Sequence, residues 1–278
     1  MNGKPTFVRA RCGLCLVMAI VVSGPVAYSQ AAAPLSPAPD QKSLEPVPGL
    51  EQLTPYLKSQ LVRTFTDWAS LAKYRDADHQ LPPPVAGETR VVFMGDSITE
   101  GWGQKGAATS PERAEFFPGK PYINRGISGQ TTPQMLVRFR QDVIDLKPKV
   151  VVLLAGINDI AENTGKTTLP EIAGNIASMG ELARANGIRV VLCSVLPASD
   201  FHWHLGLEPA PKIRELNAWI KDYATKNGLV YVDYYTAMAN SEGGLKIELS
   251  PDGVHPNKAG YQIMAPLAEA GIVEALKR

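Results

Sequence analysis

Ser97, Asp252 and His255 are the residues of this 278-residue chain whose types and order could act together on one bond. A serine hydroxyl is a poor nucleophile until a base takes its proton. Neutral imidazole can accept that proton near pH 7, and a carboxylate three positions before the histidine can fix its tautomer and support the charge it gains. Attack on an ester or amide then creates a negative oxygen that needs donors already in place. The N–H of Gly126, the side-chain amide of Asn158 and the N–H of Ser97 are the candidates, and losing one such donor typically slows turnover about 10²–10³-fold. Each residue also has a plain structural reading. Ser97 could cap a helix, Gly126 could sit in a turn, and Asn158 could close an Asx-turn. Asp252 could bond locally within Ser250-Pro251-Asp252-Gly253, and His255 could be a solvated loop residue. Only their assembly makes the chemistry, so the elements that carry them decide the matter.

The run Val91-Val92-Phe93-Met94 is apolar and begins β-branched, which reads as a buried strand. It stops at Gly95-Asp96-Ser97, small and polar residues that suit a tight turn. Strands and helices then alternate. Further strands are expected over 121–125, ending at Gly126, and over 150–154, ending in Ala155-Gly156-Ile157-Asn158-Asp159. Two more are expected over 188–196, stopped by Pro197, and 229–232. Helices are expected over 133–146, 169–185, 212–226 and 258–277, with Asn186-Gly187 ending the second as a left-handed cap. Strands that are apolar throughout point to a parallel sheet covered on both faces, with right-handed crossovers. The fold class predicted is α/β, a flavodoxin-like three-layer α/β/α sandwich on a five-stranded parallel sheet, with a Rossmann variant second. Gly95, Gly101 and Gly103 lack the spacing of a dinucleotide loop, which disfavours a nucleotide. Ser97, Gly126, Asn158 and the Asp252–His255 pair all fall at or beyond the carboxyl ends of strands, the edge where open α/β sheets bind ligands. Pro256 biases His255 away from helical geometry, placing it in a loop before the last helix.

With these residues in order, the chain resembles the SGNH, or GDSL, hydrolase superfamily. The resemblance rests on four blocks: Gly95-Asp96-Ser97-Ile98-Thr99, Asn124-Arg125-Gly126-Ile127-Ser128-Gly129, Gly156-Ile157-Asn158-Asp159 and Asp252-Gly253-Val254-His255-Pro256. It covers residues 91 to about 277. One block alone is weak; four in order are specific. The resemblance implies a flavodoxin-like sheet and hydrolysis through an acyl-serine intermediate. It also implies Ser97, Asp252 and His255 as catalytic residues, Ser97, Gly126 and Asn158 as oxyanion donors, and neither a metal nor another cofactor. Gln130-Thr131-Thr132, with the context of Phe93 to Ser97, looks like the branch of platelet-activating-factor acetylhydrolase catalytic subunits and bacterial acetyl esterases.

The N-terminal part has a different character. Lys4, Arg9 and Arg11 precede an apolar core from Leu14 to Val22, then Ser23-Gly24-Pro25 and the small residues of Ala27-Tyr28-Ser29. This is the pattern of a secretory signal over 1–29, too short to span a bilayer, and it predicts a secreted or periplasmic protein with no stable membrane span after cleavage. Cys12 and Cys15 precede the apolar core, so neither stands where a lipoprotein acceptor would. Residues 30–49 carry five prolines and read as a disordered linker. Residues 50–84 read as a helical extension. Leu57, Leu61, Phe65, Trp68, Leu71, Ala72 and Tyr74 recur at helical spacing, and Leu81-Pro82-Pro83-Pro84 ends the pattern. The remainder, 85–278, is the hydrolase domain.

Removing the signal takes three basic residues and moves the formal net charge from +1 to −2. Near-neutrality argues against nucleic acid, which would want a clustered basic face. The lone remaining thiol, Cys193, is expected as a small packed hydrophobe. The partner is expected to be a small-molecule or polysaccharide ester. Asp96, Trp102 and Trp203 are the candidate substrate contacts, and the loop 197–211 with His202-Trp203-His204 is a candidate substrate wall. Export, small loops and low charge favour a short acyl group, acetate, on a carbohydrate or similar polar alcohol. A lysophospholipase or thioesterase using the same site is the alternative, and a non-catalytic glycan-binding module is the third reading.

Overall fold

A computed structural model of the chain describes residues 55–103 and 115–278. The expected signal over 1–29 and the linker over 30–49 lie outside the described residues. Two short helices come first, α1 (Pro55–Thr66) and α2 (Arg75–Gln80), followed by β1 (Val91–Gly95), α3 (Ser97–Glu100), β2 (Tyr122–Gly126), α4 (Thr132–Asp142) and β3 (Val150–Leu154). The chain continues through α5 (Ile157–Ile160), α6 (Leu169–Ala185), β4 (Arg189–Cys193), α7 (Pro209–Lys226), β5 (Val230–Val232), α8 (Tyr234–Met238) and α9 (Lys258–Lys277).

The five strands form one parallel sheet in the order β2-β1-β3-β4-β5. This is the flavodoxin-like order, and the expected fold class is the one observed. Every residue of β1 and of β3 is buried, as their β-branched composition requires of central strands with both faces covered. β2 lies on one side of β1 and β3 on the other. Consecutive crossovers therefore leave the β1/β3 edge in opposite directions, opening the crevice where such sheets hold ligands. α9 packs on β3, β4 and β5, and Gly271 lets it approach closely: a Cβ there would lie 2.4 Å from Val232 Cγ2. α6 turns Ile172, Ile176, Met179 and Ala183 inward, and burying each of the larger ones contributes about 1.5–3 kcal/mol. Gly187, just past α6, has φ +71°, the left-handed end expected there. Among the described residues no helix is long and apolar enough to cross a membrane.

One expected element differs. The helical periodicity from Leu57 to Tyr74 does not make a single helix: α1 stops at Thr66 and α2 starts at Arg75. Asp67 is the cause. Its carboxylate accepts the N–H groups of Leu71 and Ala72 at 2.7 and 2.8 Å, offering the backbone an alternative to the helix ladder. Ser70 adopts φ +55° inside that turn. Phe65 is 83% exposed, so this residue of α1 is not seated on the sheet.

Candidate active site

β1 ends at Gly95 because α3 folds back over it: a Cβ there would lie 2.1 Å from Thr99 Oγ1 and 2.9 Å from Leu154 O. Asp96 caps α3, its Oδ1 accepting the N–H of Ile98 at 2.9 Å. Ser97 opens the helix, so its own N–H has no acceptor within α3. The Ser97 Oγ lies 2.9 Å from His255 Nε2, and His255 Nδ1 lies 2.7 Å from Asp252 Oδ2. Three residues from two distant parts of the chain thus meet on one edge of the sheet.

Asp252 combines the two roles open to it. Its Oδ1 accepts the N–H groups of Val254 and His255 at 3.0 and 2.8 Å and closes the turn, while its Oδ2 faces the imidazole. Burial works to raise its pKa. The ring and backbone N–H groups of His255, with that of Val254, outweigh burial and hold the carboxyl well below the usual carboxylate range. An ionised carboxylate can only accept, so His255 Nδ1 carries the proton and Nε2 is left to accept from Ser97. Asp252 therefore stays charged in moderate acid. With His255 as the base, kcat/KM should fall as the pH is lowered, and a flat profile down to about pH 4 would remove His255 from that role.

Asn158 sits in α5, just past β3, and is buried. Its Nδ2 donates to Gln130 O at 3.0 Å and its Oδ1 accepts from Asn163 Nδ2 at 2.8 Å. An amide has two N–H groups, so one remains. Gly126 is placed differently from expectation. Its N–H is donated to Asn124 Oδ1 at 2.9 Å, and a Cβ there would lie 2.0 Å from Glu100 N. It is glycine because α3 presses on β2, and its amide is engaged. Gly129, three residues on, has φ +77°, an exposed backbone and an N–H without a partner among the described residues. Gln130 follows it and holds Asn158, so Gly129 stands beside that side chain.

Two of the expected substrate contacts are corrected. Asp96 has no exposed surface: burial pushes its carboxyl up to about 6, against the opposing pull of the Ile98 N–H, and its Oδ2 has no partner among the described residues. It shapes the turn and cannot touch a substrate. Trp102 is 3% exposed and lies between Phe93 of β1 and Tyr261 of α9, with ring centroids 5.9 and 5.1 Å away. It is core.

A profile of the GDSL-like lipase/acylhydrolase family matches residues 93–263, which begin in β1 and end in α9. The chain belongs to this family. Membership carries the reaction class, carboxylic ester hydrolysis. A GDSL-like lipase of Bacteroides thetaiotaomicron VPI-5482 superposes with a TM-score of 0.70 at 47% identity, covering 75% of this chain and 100% of that one. An acetylxylan esterase of Xylanibacter ruminicola is 26% identical over 220 residues, 69% of this chain. This chain spans 45% of that relative's length. An acetylxylan esterase of Geobacillus stearothermophilus is 27% identical over 198 residues, covering 63% of this chain and 90% of its own.

Trp203 stands beside His255. It is 41% exposed, its ring centroid lies 6.3 Å from that of His255, and its Nε1 donates to Asn163 Oδ1 at 3.1 Å. The two flanking histidines diverge: His202 packs edge-on against Trp203, and His204 Nδ1 bonds Ala161 O at 2.9 Å. Among the described residues no group of three His, Cys, Asp or Glu side chains is arranged to hold a metal. Cys193 is packed in β4, and burial pushes its thiol up to about 12, consistent with an inert core residue.

Proposed function

We propose that this chain is an exported serine esterase that removes short acyl groups, acetyl above all, from a carbohydrate or similar polar alcohol. The observation that carries the reading is the unbroken path from Ser97 Oγ through His255 to Asp252 Oδ2, with links of 2.9 and 2.7 Å. His255 Nε2 takes the hydroxyl proton as Ser97 Oγ bonds to the ester carbonyl carbon. The negative oxygen of the tetrahedral species is met by the N–H of Ser97, the remaining Nδ2–H of Asn158 and the N–H of Gly129. The imidazolium, supported by Asp252, then passes its proton to the departing alcohol and leaves an acyl-serine. Water, deprotonated by the same imidazole, releases the acid and restores Ser97.

Two features support a short acyl group on a sugar. Among the described residues, Ile98 and Trp102 are buried and Trp102 packs on Phe117 and Tyr261, which favours a short acyl group over a long chain beside Ser97. The exposed indole of Trp203 gives the alcohol half a flat apolar face with a polar rim, which suits a sugar ring. Two of the relatives named above are acetylxylan esterases. Export rests on the signal-like residues before position 30.

The test is a series of p-nitrophenyl esters followed by acetate release from acetylated xylan. The kcat/KM should be highest for acetate and decline from butyrate onward, and free acetate should appear from the polysaccharide. A maximum at eight carbons or longer, or no acetate release, would favour the lysophospholipase or thioesterase reading.

A further inference from the structure

The segment 67–80 lies before the residues matched to the family, yet it is bonded to the loop that carries Gly129. Gly129 has a tied neighbour on each side. Ser128 donates its N–H to Glu100 Oε2 at 2.7 Å and its hydroxyl to the same oxygen, and Glu100 Oε1 takes the ammonium of Lys73. Gln130 donates its Nε2 to Ala69 O at 2.7 Å, while its own carbonyl holds Asn158. Tyr74 adds a third tie, its hydroxyl donating to Gly126 O at the start of the loop. Glu100 is 8% exposed and sits in α3, one turn beyond Ser97. One carboxylate therefore joins the nucleophile's helix, the donor loop and the N-terminal segment.

We propose that residues 67–80 are a positioning strap for the oxyanion loop, with Lys73 acting through Glu100 and Ser128 to hold the Gly129 N–H where the negative oxygen forms. This rests on the role given to Gly129 above. Without Lys73, a nearly buried carboxylate oxygen loses its counter-charge, and the shared grip on Ser128 weakens. Gly129 has no side chain to anchor it, so its direction depends on its neighbours. Displacing a donor from the developing charge raises the barrier to reaction while leaving ground-state binding to Trp203 and the surrounding wall intact. Lys73 touches nothing that reacts. It is a positioning residue.

The test is Lys73→Met in the full chain, assayed on p-nitrophenyl acetate beside Ser97→Ala. The Lys73 side chain is 40% exposed, so its loss opens no core cavity. The kcat should fall about tenfold with KM changed less than twofold, because a misplaced group far from the chemistry can cost up to about 10²-fold. Lys73→Arg, which keeps the cation, should recover most of the loss. Wild-type kcat in Lys73→Met, or a raised KM with kcat retained, overturns the strap. Should Lys73→Met fail to fold, Tyr74→Phe removes one hydroxyl and keeps the ring. It should show the same kcat-only loss, about threefold, and an unchanged kcat in that folded variant is equally fatal. If Ser97→Ala stays active, the underlying reading has failed; if Ser97→Ala is dead and Lys73→Met is unaffected, only the strap has.

Discussion

Ser97→Ala should lower kcat/KM for p-nitrophenyl acetate by about 10⁵-fold or more, with the melting temperature moved by less than about 2 °C. The size follows from the hydroxyl's position. The nucleophile and its base act as a unit, so removing the attacking oxygen forfeits the covalent route entirely, and what survives is binding and whatever the donors offer to water. The lack of a stability cost follows from the local structure. Asp96, not Ser97, caps α3, and Gly95 supplies the close approach of the turn. The Ser97 hydroxyl has His255 Nε2 as its hydrogen-bond partner, so alanine leaves no core contact broken. Alanine also suits the first turn of a helix. Circular dichroism and a thermal melt beside the assay separate this outcome from simple unfolding.

The second large effect is expected at Asp252→Asn, a loss of about 10⁴-fold in kcat with KM little changed. Asparagine can keep an oxygen at the Oδ1 position and so retain the N–H bonds from Val254 and His255 that shape the turn. At the Oδ2 position it presents an NH₂ group to His255 Nδ1. Two donors cannot face each other, so the imidazole must move its proton to Nε2 or turn away. Either change removes the lone pair that faces Ser97 Oγ. The negative charge that supports the imidazolium is lost as well. A variant retaining more than about a tenth of wild-type kcat would mean that Asp252 only closes a turn.

The sheet was legible because its central strands β1 and β3 are short apolar runs bounded by glycine, proline or polar residues, whereas β2 carries Asn124 and Arg125 and is marked chiefly by the glycine that ends it. Helices 169–185 and 258–277 were legible to the residue because their apolar faces and caps agree. The region from Leu57 to Tyr74 misled for a definable reason. Its apolar spacing is helical, but a single carboxylate, Asp67, takes the N–H groups that a helix would need. Periodicity does not record that competition. The three side chains that meet at the sheet edge were legible because serine, histidine and aspartate announce themselves by type. Gly126 was not separable from Gly129 in Asn124-Arg125-Gly126-Ile127-Ser128-Gly129 by type alone, since both are glycines near one strand end. What distinguishes them is three-dimensional: one lies under α3 with its amide given to Asn124, and the other has a positive φ and an amide without a partner among the described residues. Trp102 and Trp203 pose the same problem, since burial, not residue type, makes one of them core and the other part of a wall.

The central claim is that Ser97 is made nucleophilic by His255, and covalent labelling tests it most directly. Treating the protein with a fluorophosphonate, then locating the added mass by peptide sequencing, should find one equivalent on Ser97. The same treatment of His255→Ala should label that serine at least about 10³-fold more slowly. A label on any other residue, or equally fast labelling of Ser97 without the histidine, would contradict the account.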